Sequence, residues 1–167
     1  MSDAVRAPQH LTSEHDVSEF DCGVPELDLW LKRRALQNES SRASRTFVIA
    51  EEKRVVGYYA LATGAVSQAV ATGRVRRNMP EPIPVMVLAR LAIDRGQQRS
   101  GLGSALLRDA LLRTLAAAEV AGIRAVLLHA ISEEAKRFYL HHGFAESPVE
   151  PMTMMVTLAD IEKALGR

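Results

Sequence analysis

The stretch "VMVLARLAIDRGQQRSGLGSALLRDALLRTLAAAEVA", from Val85 to Ala121, constrains the fold more than any other part of the chain. Its apolar start, Val85–Ile93, reads as a strand buried on both faces. A polar turn with two glycines follows. From Gly101 to about Ala121, Leu102, Leu106 and Ala110 recur at helical spacing and predict a long helix. A buried strand running into a helix needs a sheet to hold the strand and a second layer to cover it. The same order then returns. "AVLLHA" predicts another buried strand, and Ser132 caps a short helix with acids in its first turn that ends before Gly143. "MTMMVTL" predicts a last strand and "ADIEKALG" a closing helix. Such alternation implies an α/β sandwich with parallel pairings.

The first half is consistent with that layering. "MSDAVRAPQ", residues 1–9, reads as a loose arm. "GVPELDLWLKRRALQNESS" predicts one helix, with Pro25 in its first turn and Leu27, Trp30, Leu31 and Ala35 on one face. Trp30 reads as a core anchor. "TFVIAEEKRVVGYYALATGAV" predicts two strands joined by a turn near Glu52–Arg54, and "ATGRVRRNMPEPIP" a polar, proline-rich connection. No repeat interrupts the pattern. At 167 residues the chain is expected to form one domain over 1–167, large enough to bury about 70% of its unfolded surface without a staple.

The glycine turn reads as an anion site. A mononucleotide P-loop would need a lysine after its last glycine, and none is present. A dinucleotide fingerprint would need a third glycine at position 106, which is Leu106. What remains is Gln98-Arg99-Ser100-Gly101-Leu102-Gly103 between a strand and a helix. Glycines let a ligand approach the backbone, and the helix start offers unpaired N–H groups and a positive dipole end. Together they suit a pyrophosphate. A plain strand-to-helix turn is the alternative.

Net charge is only +1, yet it is unevenly spread. Residues 1–30 hold seven acids against Arg6. Residues 31–45 hold Lys32, Arg33, Arg34, Arg42 and Arg45 against Glu39, and Arg74, Arg76 and Arg77 follow with no acid nearby. Each cluster alone reads as a solvated face, but two clusters point toward a polyanion partner. Arg90 shares an alternating strand face with Met86 and Leu88, and suits either a structural ion pair or a substrate contact. Cys22 is the only cysteine, which excludes an internal disulfide and fits a reducing cytosol. The five histidines lack metal-ligand spacing, so no metal is expected. No signal-peptide pattern and no apolar run of about 20 residues stands in the sequence, so a cytoplasmic protein without a membrane is expected.

These pieces together resemble the GNAT superfamily of acyltransferases. Its coenzyme A loop is Gln/Arg-x-x-Gly-x-Gly/Ala at a helix start. "LARLAID" is similar to its splayed central strand, and "AKRFYLHHGF" to its late helix. A narrower likeness covers most of the chain. "FDCGVPELDLWLKRRA", "RTFVIAEEKRVVGYYALATG", "PIPVMVLARLAIDR", "SGLGSALLRDALLR" and "AKRFYLHHGF" together resemble the GNAT toxins of bacterial toxin–antitoxin pairs. One departure is Arg99, where such toxins usually have Gly. The slot is formally variable, and Arg99 adds a phosphate contact or faces solvent.

The resemblance implies a GNAT fold, a central mixed sheet flanked by helices. It implies a toxin that uses acetyl-CoA to acetylate the α-amine of aminoacyl-tRNA and stalls translation. It implies a homodimer silenced by a ribbon-helix-helix antitoxin. Acetyl-CoA would lie on Leu91, Ala92 and Ile93, on Gln98, Arg99, Ser100, Gly101, Leu102, Gly103 and Ser104, and on Phe138. Lys32, Arg33, Arg34, Arg42, Arg45, Arg74, Arg76, Arg77 and Arg90 are the tRNA candidates. Two other readings stand beside this one. They are a GNAT enzyme for a small amine or a protein N-terminus, and a non-catalytic module that binds RNA or an antitoxin. Binding of bulk tRNA separates the first, and acetyl-CoA turnover the second.

Proton accounting fits the α-amine. Its reference pKa is about 7.7–8.0 and an adjacent ester lowers it, so much of it is neutral without a strong base. A lysine acceptor at about 10.4 would need far more help. The leaving group is a thiolate, and the motif makes Tyr139 its donor. A phenol near 10 is a weaker acid than a thiol near 8.5, so Tyr139 acts chiefly by hydrogen-bonding the sulfur as charge develops.

Overall fold

The computed structural model describes residues 7–167. Its strands form one seven-stranded mixed sheet in the order β1-β2-β3-β4-β5-β7-β6. The strands are β1 Gln9–His10, β2 Arg45–Glu51, β3 Arg54–Val66, β4 Ile83–Ile93, β5 Ala125–His129, β6 Ala145–Glu146 and β7 Thr153–Thr157. The helices are α1 Pro25–Arg33, α2 Ala35–Ser41, α3 Gly73–Arg76, α4 Leu102–Ala117, α5 Glu133–His141 and α6 Leu158–Ala164. Parallel pairing joins β4 to β5, Val85 opposite Ala125 through Val87 opposite Leu127. That pair needs a long crossover, which α4 supplies. The β1–β2, β2–β3, β5–β7 and β6–β7 pairs are antiparallel, which makes the sheet mixed.

The chain divides into two compact units, residues 1–62 with 89–110, and residues 63–88 with 111–167. Each has its own apolar cluster. In the first, Leu11, Phe20, Leu31, Ala35, Val48, Val55, Tyr58 and Ala92 pack together. The neighbouring tyrosines of β3 show the period of two. Tyr58 donates its hydroxyl to the Leu27 carbonyl of α1 at 2.7 Å, and Tyr59 donates to Asp109 of α4 at 2.5 Å. Adjacent strand residues point to opposite faces, so helices cover both faces of this strand. In the second unit, Val66, Ala71, Val75, Ile83, Val85, Ala125, Leu127 and Met155 form the cluster.

Most elements stand where the sequence puts them, with five differences, one of them the short strand β6, which the sequence does not announce. Residues 1–6 of the expected arm lie outside the described residues, while Gln9 pairs with Val48 in β1. The single helix expected over 23–41 breaks at Arg34, whose φ of −122° leaves the helical region. The polar connection contains α3, capped by the Thr72 hydroxyl, which accepts from the Val75 amide. Helix α4 ends at Ala117, and residues 118–120 form a turn.

Candidate functional site

The glycine turn lies in the first unit. Residues 95–97 make one 3₁₀ turn and α4 begins at Leu102. Arg99 and Gly101 have φ of 65° and 87°, in the left-handed region. Nothing lies within 4 Å of where a Gly101 Cβ would stand, so backbone conformation and an open approach call for glycine there, not packing. Ala105 donates its amide to the Gly101 carbonyl at 3.1 Å, the first α-helical bond. The amides before it, on Leu102 and Gly103, precede the i−4 ladder and carry the positive end of a 16-residue helix. Free amides at a helix start beside an open glycine are able to receive an oxyanion.

Side chains hold the cradle in shape. The Gln98 amide donates to the carbonyls of Cys22 and Ile93 at 3.0 and 2.9 Å. Its nitrogen therefore braces the loop and is not held out toward a phosphate. The Ser100 hydroxyl donates to the Gln97 carbonyl. Asp94, only 9% exposed, accepts from the amides of Asp21 and Gly96 at 3.0 and 3.1 Å. The Arg95 amide reaches the Asp21 carbonyl at 2.8 Å, and its guanidinium the Asp21 carboxylate at 3.2 Å. Phe20 is buried in the cluster beside it. The segment Phe20-Asp21-Cys22-Gly23 is thus a strap against the loop. Asp21, Cys22 and Asp94 escaped the sequence reading, although the Phe-Asp-Cys-Gly motif was visible. Burial and Asp28 push the Cys22 thiol up to about 12, which makes it an unreactive packing group.

The carboxylate of Asp94 gives a stability prediction. Two charge-assisted, part-buried bonds to backbone amides are lost in Asp94→Ala, which should destabilise the protein by about 1–3 kcal/mol. Urea denaturation measures it, and a change below about 0.5 kcal/mol would show that the loop holds without the carboxylate.

Leu91, Ala92 and Ile93 end β4 just before this turn, with Ala92 buried and its neighbours half-buried. Arg90 makes no ion pair among the described residues. Its guanidinium carbon lies 4.3 Å over the Trp30 ring, which stacks on Tyr58 at 6.0 Å. The anchoring role expected of Trp30 is thereby seen, and Arg90 is held by a cation–π contact.

Tyr139 and Phe138 lie in the second unit, on α5. The Ser132 hydroxyl accepts from the Ala135 amide at 3.0 Å, and Glu133 and Glu134 stand in the first turn. Gly143, at φ 95°, closes the other end and donates to the Leu140 carbonyl. Tyr139 is 8% exposed, edge-on to Phe138 at 5.1 Å and to Phe144 at 5.6 Å. Burial pushes its phenol up to about 12, so it stays protonated and is a donor at neutral pH.

The basic residues separate into two kinds. Arg45 donates to the Glu39 carboxylate at 2.7 Å, and the Thr46 amide donates to the same carboxylate. Arg74 grips Asp160 through two bonds of 2.8 and 2.6 Å. Both are structural partners in the protein as folded. Lys32, Arg33, Arg34, Arg42, Arg76 and Arg77 are exposed and have no carboxylate partner among the described residues. The first four are in the first unit, and the last two in the second. No group of His, Cys, Asp and Glu among the described residues is arranged to hold a metal.

Residues 42–146 match the family described as the acetyltransferase (GNAT) domain. The tRNA-acetylating toxin of Mycobacterium tuberculosis is 49% identical over 160 residues, covering 96% of this chain and 96% of that one. The structure of AtaT complexed with acetyl-methionyl-tRNAfMet gives a TM-score of 0.87 at 26% identity, covering 95% of this chain and 98% of that one. A mutant AtaT toxin bound to the C-terminus of the antitoxin AtaR and acetyl-CoA gives 0.82 at 26% identity, over 96% and 98%.

Proposed function

This chain belongs to the GNAT acetyltransferase family, and from that premise we propose that it is a toxin that moves the acetyl group of acetyl-CoA to the α-amine of aminoacyl-tRNA and so blocks translation. The observation that carries the reading is the likeness, along nearly the whole chain, to a toxin named for tRNA acetylation. The glycine turn supports it with a pyrophosphate cradle in the right place of the sequence.

On this reading the residues divide the work. Gln98–Ser104 receive the pyrophosphate, with the amides at the start of α4 as donors and Arg99 beside them. The backbone of Leu91, Ala92 and Ile93 pairs with the pantetheine arm, and one amide there steadies the acetyl oxygen as it becomes negative. Phe138 packs against the donor. The neutral α-amine attacks the thioester carbon, the carbon–sulfur bond breaks, and the ammonium proton leaves to water. Tyr139 hydrogen-bonds the departing sulfur. Its phenol, pushed to about 12, holds its proton more tightly than a thiol near 8.5 does, so it stabilises the thiolate without surrendering the proton.

The acceptor's RNA lies on the exposed cations. Neutralising Lys32, Arg33, Arg34 and Arg42 together with Arg76 and Arg77 should flatten the salt dependence of tRNA binding and leave acetyl-CoA affinity intact. Arg45 and Arg74, bound to their carboxylates, should contribute less. An unchanged salt slope would make these clusters solvated faces. We further propose a homodimer in the cytoplasm, silenced by a ribbon-helix-helix antitoxin; an antitoxin-bound relative supports the partner class. No helix among the described residues is long and apolar enough to cross a membrane. A cell-free translation reaction tests the whole reading. Added protein should stop synthesis only when acetyl-CoA is present, and unimpeded synthesis would refute it.

A further inference from the structure

Arg124 stands one residue before β5, and both its backbone groups are committed. Its amide donates to the Pro84 carbonyl at 2.9 Å, and its carbonyl accepts from the Leu158 amide at 3.1 Å. The side chain is thus mounted on the sheet of the second unit. It reaches the short basic helix α3, donating Nε to the Val75 carbonyl at 3.0 Å and Nη2 to the carbonyls of Arg74 and Arg77 at 2.9 and 3.3 Å. The remaining carbonyl of that turn, on Arg76, accepts from the Met79 amide at 3.1 Å. Every carbonyl from Arg74 to Arg77 therefore has a donor, and one guanidinium supplies three of the four.

A four-residue helix has no propensity of its own to persist. Its two ends are fixed by other means. Thr72 caps the start, and Arg124 takes the end, where a cation also suits the helix dipole. Arg74 is tied to Asp160 of α6. Between these ties only the side chains of Arg76 and Arg77 are left exposed and without a carboxylate. The bracket is itself a cation, placed among three other arginines with Asp160 paired to one of them. The bonds to three carbonyls account for how Arg124 holds the turn, and the surplus of arginines on that turn suits a surface that receives phosphates.

We infer that Arg124 is a positioning residue for the RNA-binding step, a bracket that fixes α3 so that Arg76 and Arg77 meet the phosphates of the acceptor. The inference rests on the proposed aminoacyl-tRNA reading and adds a residue to it. It assigns Arg124 no contact with RNA. A lysine keeps the charge and has three donors, but its one nitrogen lacks the planar fork that reaches Val75 from Nε and Arg74 and Arg77 from Nη2, so it should hold the turn less firmly.

The test is steady-state acetylation of a charged tRNA pool by Arg124→Lys and Arg124→Gln, each also in an Arg76→Gln, Arg77→Gln background. Both Arg124 variants should raise the KM for tRNA about tenfold, with kcat and the KM for acetyl-CoA within about threefold. In the double-glutamine background the same changes should add little, because nothing remains to be positioned. Thermal melting of Arg124→Lys checks that the fold is kept. A tRNA KM that Arg124→Lys leaves unchanged would overturn the bracket and make Arg124 a charge only. A loss undiminished in the double-glutamine background would overturn it as well, by making the effect general. If Arg76→Gln, Arg77→Gln alone leaves tRNA affinity untouched, the basic-surface reading fails first and takes the bracket with it.

Discussion

Tyr139→Phe should lower the rate of acetyl transfer about 10²–10⁴-fold while acetyl-CoA affinity hardly moves. The substitution keeps the ring between Phe138 and Phe144 and removes only the hydroxyl. Its loss is felt when negative charge gathers on sulfur, so the effect belongs to the transition state. Burial holds the phenol near 12, which also fixes the pH profile. The wild-type rate should rise with pH as the α-amine loses its proton, at or below about 8, and should not fall again from Tyr139 until well above pH 10. Single-turnover acetylation of charged tRNA is the measurement. A rate within threefold of the parent would reduce Tyr139 to a packing residue.

The second large effect concerns the glycine turn. Gly103→Asp places a carboxylate in the first turn of α4, where the helix dipole welcomes it. The protein alone should therefore melt no lower than its parent. On the proposed reading acetyl-CoA brings its pyrophosphate to the same amides, and like-charge repulsion should weaken its binding about a hundredfold. Gly101→Asp should bind acetyl-CoA as poorly and also lose stability, because φ of 87° strains any side chain. Titration calorimetry with acetyl-CoA, beside thermal melts, separates the two. Affinity equal to the parent in both variants would place the pyrophosphate elsewhere.

What was legible in the sequence was local. The turn at Glu52, the helix start after Gly101, the Ser132 cap and the stop at Gly143 are each written in a few neighbouring residues, and each stands where expected. The loop's backbone shape was legible for the same reason, with Gly101 in the left-handed region and α4 starting at Leu102. Its support was not. Gln98 looks like a ligand residue in sequence, yet its amide braces carbonyls of Ile93 and of Cys22, which is distant in the chain. Arg74 looks like a free cation, and Asp160, far along the chain, claims it. The strand β1 is two residues long and exists only because β2 offers it an edge. The break at Arg34 follows no glycine or proline. It turns α2 so that Glu39 reaches Arg45 and the Thr46 amide, a tertiary gain that periodicity does not record.

The central claim is a chemical one, that acetyl passes from coenzyme A to an amino acid already esterified to tRNA. The direct measurement supplies the wild-type protein with labelled acetyl-CoA and either a charged or a deacylated tRNA pool. The RNA is then recovered, digested, and its terminal nucleosides examined by mass spectrometry. The account predicts label only in the charged pool, as N-acetyl-aminoacyl-adenosine, released from RNA by mild base that cleaves the ester. Label on deacylated tRNA, label that survives mild base on the RNA, or no label in either pool while acetyl-CoA is turned over on another amine, would contradict it.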